Sequence, residues 1–214
     1  MIRTLAATLA VAAILAPPVA AHGDGGSRGF RSTVTAVQPS LAGLVAEIRD
    51  ADDRLFVRNE TGRPLVVFGY SGEPYLRFAD GAVYRNGNSP ATYLNEERYA
   101  GVPVPEEATP KAAPRWERVA DEPAYEWHDH RIHWMSRSDP PKVRRNPDLA
   151  QRLFTWTVPG RIENQPVAIR GRLDYTPPPD TGPKPWHFAS LGILVLVAAV
   201  AGVWRLRRKR EGSL

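Results

Sequence analysis

The sequence predicts an all-β exported domain, an immunoglobulin-like β-sandwich without a disulfide, followed by one C-terminal transmembrane helix. Three observations lead there. Short alternating or continuous apolar runs recur through the middle of the chain, with turn residues between them. None of the 214 residues is a cysteine. The apolar segments near the two ends have the composition of targeting elements rather than of core.

Residues 1–21 open with Arg3, continue as a short apolar stretch and end in Pro17-Pro18-Val19-Ala20-Ala21. A positive start, an apolar middle and small residues at the end predict a secretory signal peptide. Cleavage after Ala21 makes His22 the first residue of the mature protein. Residues 22–29, rich in glycine, are expected to be a flexible leader.

The domain proper is assigned to 30–175. Segments 31–37 (RSTVTAV), 44–49 (LVAEIR) and 54–58 (RLFVR) alternate apolar with polar residues, as a half-buried strand requires. Segment 64–70 (PLVVFGY) is a continuous apolar run of the fully buried type. Further strands are expected at 75–78, 82–85, 116–119, 125–127, 152–158 and 167–175. Turns are expected at 59–62 (NETG), 71–72 (SG), 80–81 (DG), 86–88 (NGN) and 159–160 (PG). Segment 102–114 reads as a proline- and alanine-rich loop. Strands this short and this regularly spaced, with no long amphipathic helical period, are the pattern of a sandwich.

Residues 176–185 carry five prolines in TPPPDTGPKP and are expected to form a semi-rigid linker. Residues 186–204 bear no charge and have tryptophans at both ends, Trp186 and Trp204. That length suits a helix crossing about 30 Å of hydrocarbon. The tail, 205–214, begins with Arg205, Arg207, Arg208, Lys209 and Arg210 and is expected on the cytoplasmic side. The expected topology is a single-pass type I protein of the cell membrane, its domain outside.

The formal charge of +5 belongs to the targeting segments. Between His22 and Pro185, 22 basic residues balance 22 acidic ones. A domain without a basic surplus lacks the electrostatic footprint of a nucleic-acid binder. The missing cysteines exclude disulfides, thiolate metal sites and cysteine nucleophiles.

The densest chemical feature is Trp127-His-Asp-His-Arg-Ile-His-Trp134, with His128, His130 and His133 inside six residues. On a strand His128 and His130 share a face; a turn near Arg131 would make His130 and His133 neighbours. Such a cluster supports two readings. One is a nitrogen-rich metal site, completed by the imidazole and free amine of His22 and suited to Cu(II). The other is a hydrogen-bonded structural network packed between tryptophans, in an envelope domain that binds a partner protein. Segments 69–75 (GYSGEPY) and 89–95 (SPATYLN) are unusual loops whose Glu73, Asn95 and tyrosines could form a recognition surface or belong to turns and core. No nucleophile elbow, Walker loop or zincin motif occurs, and catalysis is not expected. An Asp129–His130 pair beside Ser136 or Ser138 is the one arrangement that could suggest a hydrolase.

The layout of signal, sandwich, GYSGEPY, SPATYLN, the Trp127–Trp134 motif, proline linker and anchor resembles an uncharacterised exported, C-terminally membrane-anchored β-sandwich family of high-GC Gram-positive bacteria. A fainter resemblance, through His22 and the histidine cluster, is to CopC-type copper proteins. It implies copper held by His22, His128, His130 and His133.

Overall fold

The computed structural model describes residues 29–179 and the backbone of 185–211. The signal segment, His22 and the rest of the leader to residue 28 lie outside the described residues. Two units divide between Pro177 and Pro178, inside the proline-rich stretch.

Among its described residues the first unit contains ten strands: β1 (Phe30–Gln38), β2 (Leu44–Arg49), β3 (Arg54–Asn59), β4 (Leu65–Phe68), β5 (Pro74–Ala79), β6 (Ala82–Asn86), β7 (Trp116–Ala120), β8 (Ala124–His128), β9 (Gln151–Ile162) and β10 (Gln165–Tyr175). Two five-residue helices, α1 (Pro90–Leu94) and α2 (Pro141–Arg145), interrupt them. The strands form two antiparallel sheets, one ordered β1-β10-β9-β4-β5-β6-β7 and the other β2-β3-β8. Every expected strand is present, because the expectations rested on the alternation that half-burial requires or, for β4, on the continuous apolar run that full burial allows. In β9, Trp156, Val158, Gly160 and Ile162 point inward while 155, 157, 159 and 161 face water. In β10, Val167, Ile169, Gly171, Leu173 and Tyr175 do the same.

One core is shared by both sheets: Leu55, Val57 and Trp127 come from the small sheet, and Val67, Leu76, Phe78, Val158 and Ile169 from the large one. Each such aliphatic side chain contributes about 1.5–3 kcal/mol by leaving water. Trp156 is paired in register with Gly171. A Cβ at that glycine would stand 2.1 Å from the indole and 2.4 Å from the Thr33 carbonyl oxygen. The tryptophan therefore occupies the space that the missing side chain leaves.

Three local expectations need correction. Pro159-Gly160 is no turn: β9 runs through it to Ile162, and the reversal falls at Glu163, whose φ is 54°. Gly160 is demanded there by packing, since a Cβ would come within 2.7 Å of the Val66 carbonyl oxygen. Segment 89–95 is not all loop; it carries α1, with Pro90 in the first turn, where its missing N–H costs nothing. Nor do Glu73 and Asn95 lie on a surface, each being only 5% exposed.

The second unit is α3 (Pro185–Glu211). Among the described residues no helix is long and apolar enough to cross a membrane. The continuous part of α3 whose side chains are described is 192–205, short of the roughly 20 residues a span needs.

Candidate functional site

β8 ends at His128, and the chain then turns, the Ile132 amide donating to the Asp129 carbonyl oxygen at 3.0 Å. That turn decides the geometry of the histidines. His130 and His133 become neighbours, ring centroids 5.5 Å apart and nearly perpendicular. His128 stays on the strand and serves a different partner.

The turn is built around a buried charge pair. Asp129 is fully buried and accepts four hydrogen bonds. They come from the Arg131 amide at 3.1 Å, Arg131 Nε and Nη2 at 2.7 Å each, and Trp127 Nε1 at 2.9 Å. Burial alone would raise the Asp129 carboxyl, but the charge and hydrogen bonds of Arg131 hold it below the usual range. Arg131 also donates to the Phe68 carbonyl oxygen at 3.1 Å and lies over the Tyr70 ring at 5.0 Å. Tyr70 in turn accepts from the His130 amide and donates to Asn95 Oδ1. Asp129 gives nothing to the His130 ring, so the hydrolase dyad does not form.

Each described imidazole has an oxygen partner. His128 Nδ1 is 3.3 Å from both the carbonyl oxygen and Oδ2 of Asp53. His130 Nε2 lies 3.0 Å from the Glu97 carbonyl oxygen, and His133 Nδ1 lies 3.2 Å from that of Trp134. Carbonyl and carboxylate oxygens only accept, so each of these nitrogens carries the proton. His133 is 1% exposed, and its Nε2 is a buried lone pair without a partner. Burial, reinforced by the Arg98 charge, lowers its pKa to about 4.

Beside the histidines sits a triad that the sequence does not announce. Arg98 donates to Asp53 Oδ1 at 2.6 Å and to Asp52 Oδ2 at 2.8 Å. Asp52 is fully buried, and desolvation raises its pKa despite the guanidinium. Burial would raise Asp53 as well, but hydrogen bonds from His128 and Arg98 outweigh it and hold that carboxyl well below the usual range. An Asp-Asp pair at the tip of a β2–β3 hairpin reads as solvated, and nothing local marks Arg98 as its partner 46 residues on.

Of the four candidate ligands, then, His130 and His133 are brought together, His128 is engaged by Asp53, and His22 is not among the described residues. Among the described residues no group of three or more His, Asp or Glu side chains is placed to hold a metal ion. No family model matches the chain, and no curated protein or solved structure matches it either.

Proposed function

We propose that the chain is an exported, membrane-anchored β-sandwich, immunoglobulin-like in architecture, that works by binding and not by catalysis. The observation that carries this reading is the closure of the histidine-rich turn on itself. Asp129 spends both oxygens on Arg131 and Trp127, and each described imidazole has an oxygen of the chain as partner. Such a segment stabilises a fold and leaves recognition to the surfaces around it.

The anchor is read from composition. The run 188–204 is free of charge and a basic cluster follows it. Ile193, Leu194, Val195, Leu196 and Val197 are consecutive, so they cover every side of α3, and each is more than 60% exposed. A helix apolar all round belongs in a core or a bilayer. The resemblance to an exported, anchored family agrees with this placement and adds no activity to it. Reporter fusions test the location: alkaline phosphatase joined after residue 175 should be active, and joined after residue 214 inactive. The reverse pattern overturns the reading.

A second reading, Cu(II) binding, is favoured by His133 Nε2, a buried lone pair with no partner and with His130 close by. His22, with its amine and imidazole, would have to supply the remaining nitrogens. On this reading the parent protein binds Cu(II) tightly and His133→Gln abolishes that binding; on the first reading the parent has no tight site to lose.

A further inference from the structure

The 22 basic and 22 acidic residues between His22 and Pro185 cancel in number but not in position. Three neighbouring strands of the large sheet, β1, β10 and β9, turn one face to the core and the other to water. The outward face carries Arg31 on β1, Arg170 and Arg172 on β10, and Arg152 and Arg161 on β9. Asp174 is the only carboxylate among those outward positions, and Arg172 Nε at 2.7 Å and Arg152 Nε at 3.6 Å share it. Five arginines against one aspartate leave four positive charges in excess.

Strand register gathers these side chains into one patch. Arg170 is paired with Thr157, Arg172 with Thr155 and Thr33, and Arg161 with Pro166. Alternate residues on a strand stand about 7 Å apart, and neighbouring strands about 5 Å apart. Among the described residues no carboxylate forms an ion pair with Arg31, Arg161 or Arg170. Glu163, at the end of the β9–β10 hairpin, faces Arg63 at 4.0 Å instead. The surplus is guanidinium throughout, without a lysine. Each guanidinium is a planar fork that takes two phosphate oxygens at once. An array of such forks across a sheet suits an array of phosphates rather than one small anion in a pocket.

The length of the linker indicates which phosphates come within reach. β10 ends at Tyr175, and the apolar run begins at residue 186, after the proline-rich segment 176–185. Ten residues of polyproline-like chain reach about 30 Å. A domain tethered so closely to a bilayer meets its headgroups at high effective concentration, so contacts too weak to hold a free protein suffice. β10 is both the strand from which this tether leaves and a strand of the arginine face.

We infer that the outward face of β1, β10 and β9 docks on the anionic phospholipid headgroups of the membrane that anchors the chain, its arginines donating to lipid phosphates. Docked this way the domain lies along the bilayer, with the outer face of the small sheet directed away from it. The inference rests on the anchored reading of the chain and names the surface that the anchored domain binds.

The test uses the full mature chain reconstituted into vesicles of phosphatidylcholine alone or of an equal mixture with phosphatidylglycerol. Because the chain has no cysteine, Thr33→Cys accepts a single fluorophore at the edge of the arginine face. Val45→Cys, on the outer side of the small sheet and 40% exposed, carries the comparison label. Energy transfer to acceptors on the lipid headgroups should rise with phosphatidylglycerol for the Thr33→Cys label and not for the Val45→Cys label. Each arginine beside an anionic lipid surface contributes a factor of about five. Adding Arg161→Gln and Arg170→Gln, both exposed positions, should therefore lower the docked-to-undocked ratio about twenty-five-fold. Salt near 1 M, where the screening length is about 3 Å, should release the unaltered face as well. A Thr33→Cys label indifferent to lipid charge, a response that survives both replacements, or approach by the Val45→Cys label each overturns the inference. Binding of soluble polyphosphate with no response to lipid charge would assign the face to a polymer and overturn it too. Extraction of the vesicles with alkaline carbonate scores the anchor separately. A chain that is stripped off overturns the anchored reading and the inference with it, whereas a retained chain whose label ignores lipid charge overturns the inference alone.

Discussion

Asp129 and Arg131 stand two residues apart and face each other inside the domain, joined by two hydrogen bonds of 2.7 Å between carboxylate and guanidinium. The pair shapes the turn, because the same carboxylate also holds Trp127 at the end of β8 and the same guanidinium reaches Phe68 at the end of β4. Strand ends of both sheets thus meet at one buried salt bridge.

Breaking that pair from one side leaves an uncompensated buried charge. Asp129→Asn should lower the unfolding free energy by about 3–5 kcal/mol. Denaturant unfolding monitored by tryptophan fluorescence measures it. Asp129→Asn with Arg131→Met should cost less than the two single losses together, since the second replacement removes the stranded charge. Additive losses would mean that the two side chains do not act as a unit.

Arg98 makes a parallel case. Its removal as Arg98→Met leaves Asp52 buried without its cation and Asp53 supported by His128 at 3.3 Å and Arg54 at 3.8 Å. The expected loss is again about 3 kcal/mol or more, and Asp52→Asn in the same chain should restore part of it. If Arg98→Met unfolds at the wild-type denaturant midpoint, the triad contributes nothing to stability.

His133 sets a pH dependence whose sign follows from its burial. The folded ring has a pKa of about 4 against the ordinary 6.5, with Arg98 and His130 opposing its protonation and Asp53 favouring it. The unfolded chain therefore binds the proton first as pH falls. Stability contributed by the neutral ring is complete above pH 6.5 and is lost between about 6.5 and 4, on the order of 3 kcal/mol in all. The depressed Asp53 carboxyl acts in the same direction, but only as pH falls below its ordinary 3.8. Unfolding midpoints at pH 7, 5.5 and 4.5 should fall in that order, and His133→Gln should flatten the trend.

Gly171 gives a packing prediction that needs no charge. Gly171→Ala would force a Cβ onto the Trp156 ring and the Thr33 carbonyl, so a loss of about 1–3 kcal/mol is expected. Trp156→Leu in the same chain should recover part of it by vacating the space. A Gly171→Ala protein as stable as the parent would show that the indole moves aside freely.

These relationships also mark what the residues reveal unaided. The strands were legible because period-two burial is a local property, visible in 152–158 and 167–175 alike. Pro159-Gly160 misled because its residue types are those of a turn, whereas the glycine is required by the approach of the Val66 carbonyl from another strand. For 89–95 the signal was available, a serine followed by proline being a helix start. The histidine spacing was legible; the directions of the His128 and His130 rings were not, since they depend on oxygens of Asp53 and Glu97 tens of residues away. Asp52, Asp53 and Arg98 left no trace in local pattern for the same reason.

The binding-module account makes the histidine-rich turn a structural lock, and a Cu(II) titration tests that most directly. The full mature chain, with His22 carrying a free amine, would be titrated beside His133→Gln and beside a version extended by one methionine before His22. The account predicts no tight one-to-one site, and weak binding that is the same in all three proteins. Tight one-to-one binding in the parent that falls sharply in both variants would contradict it and make the turn a copper centre.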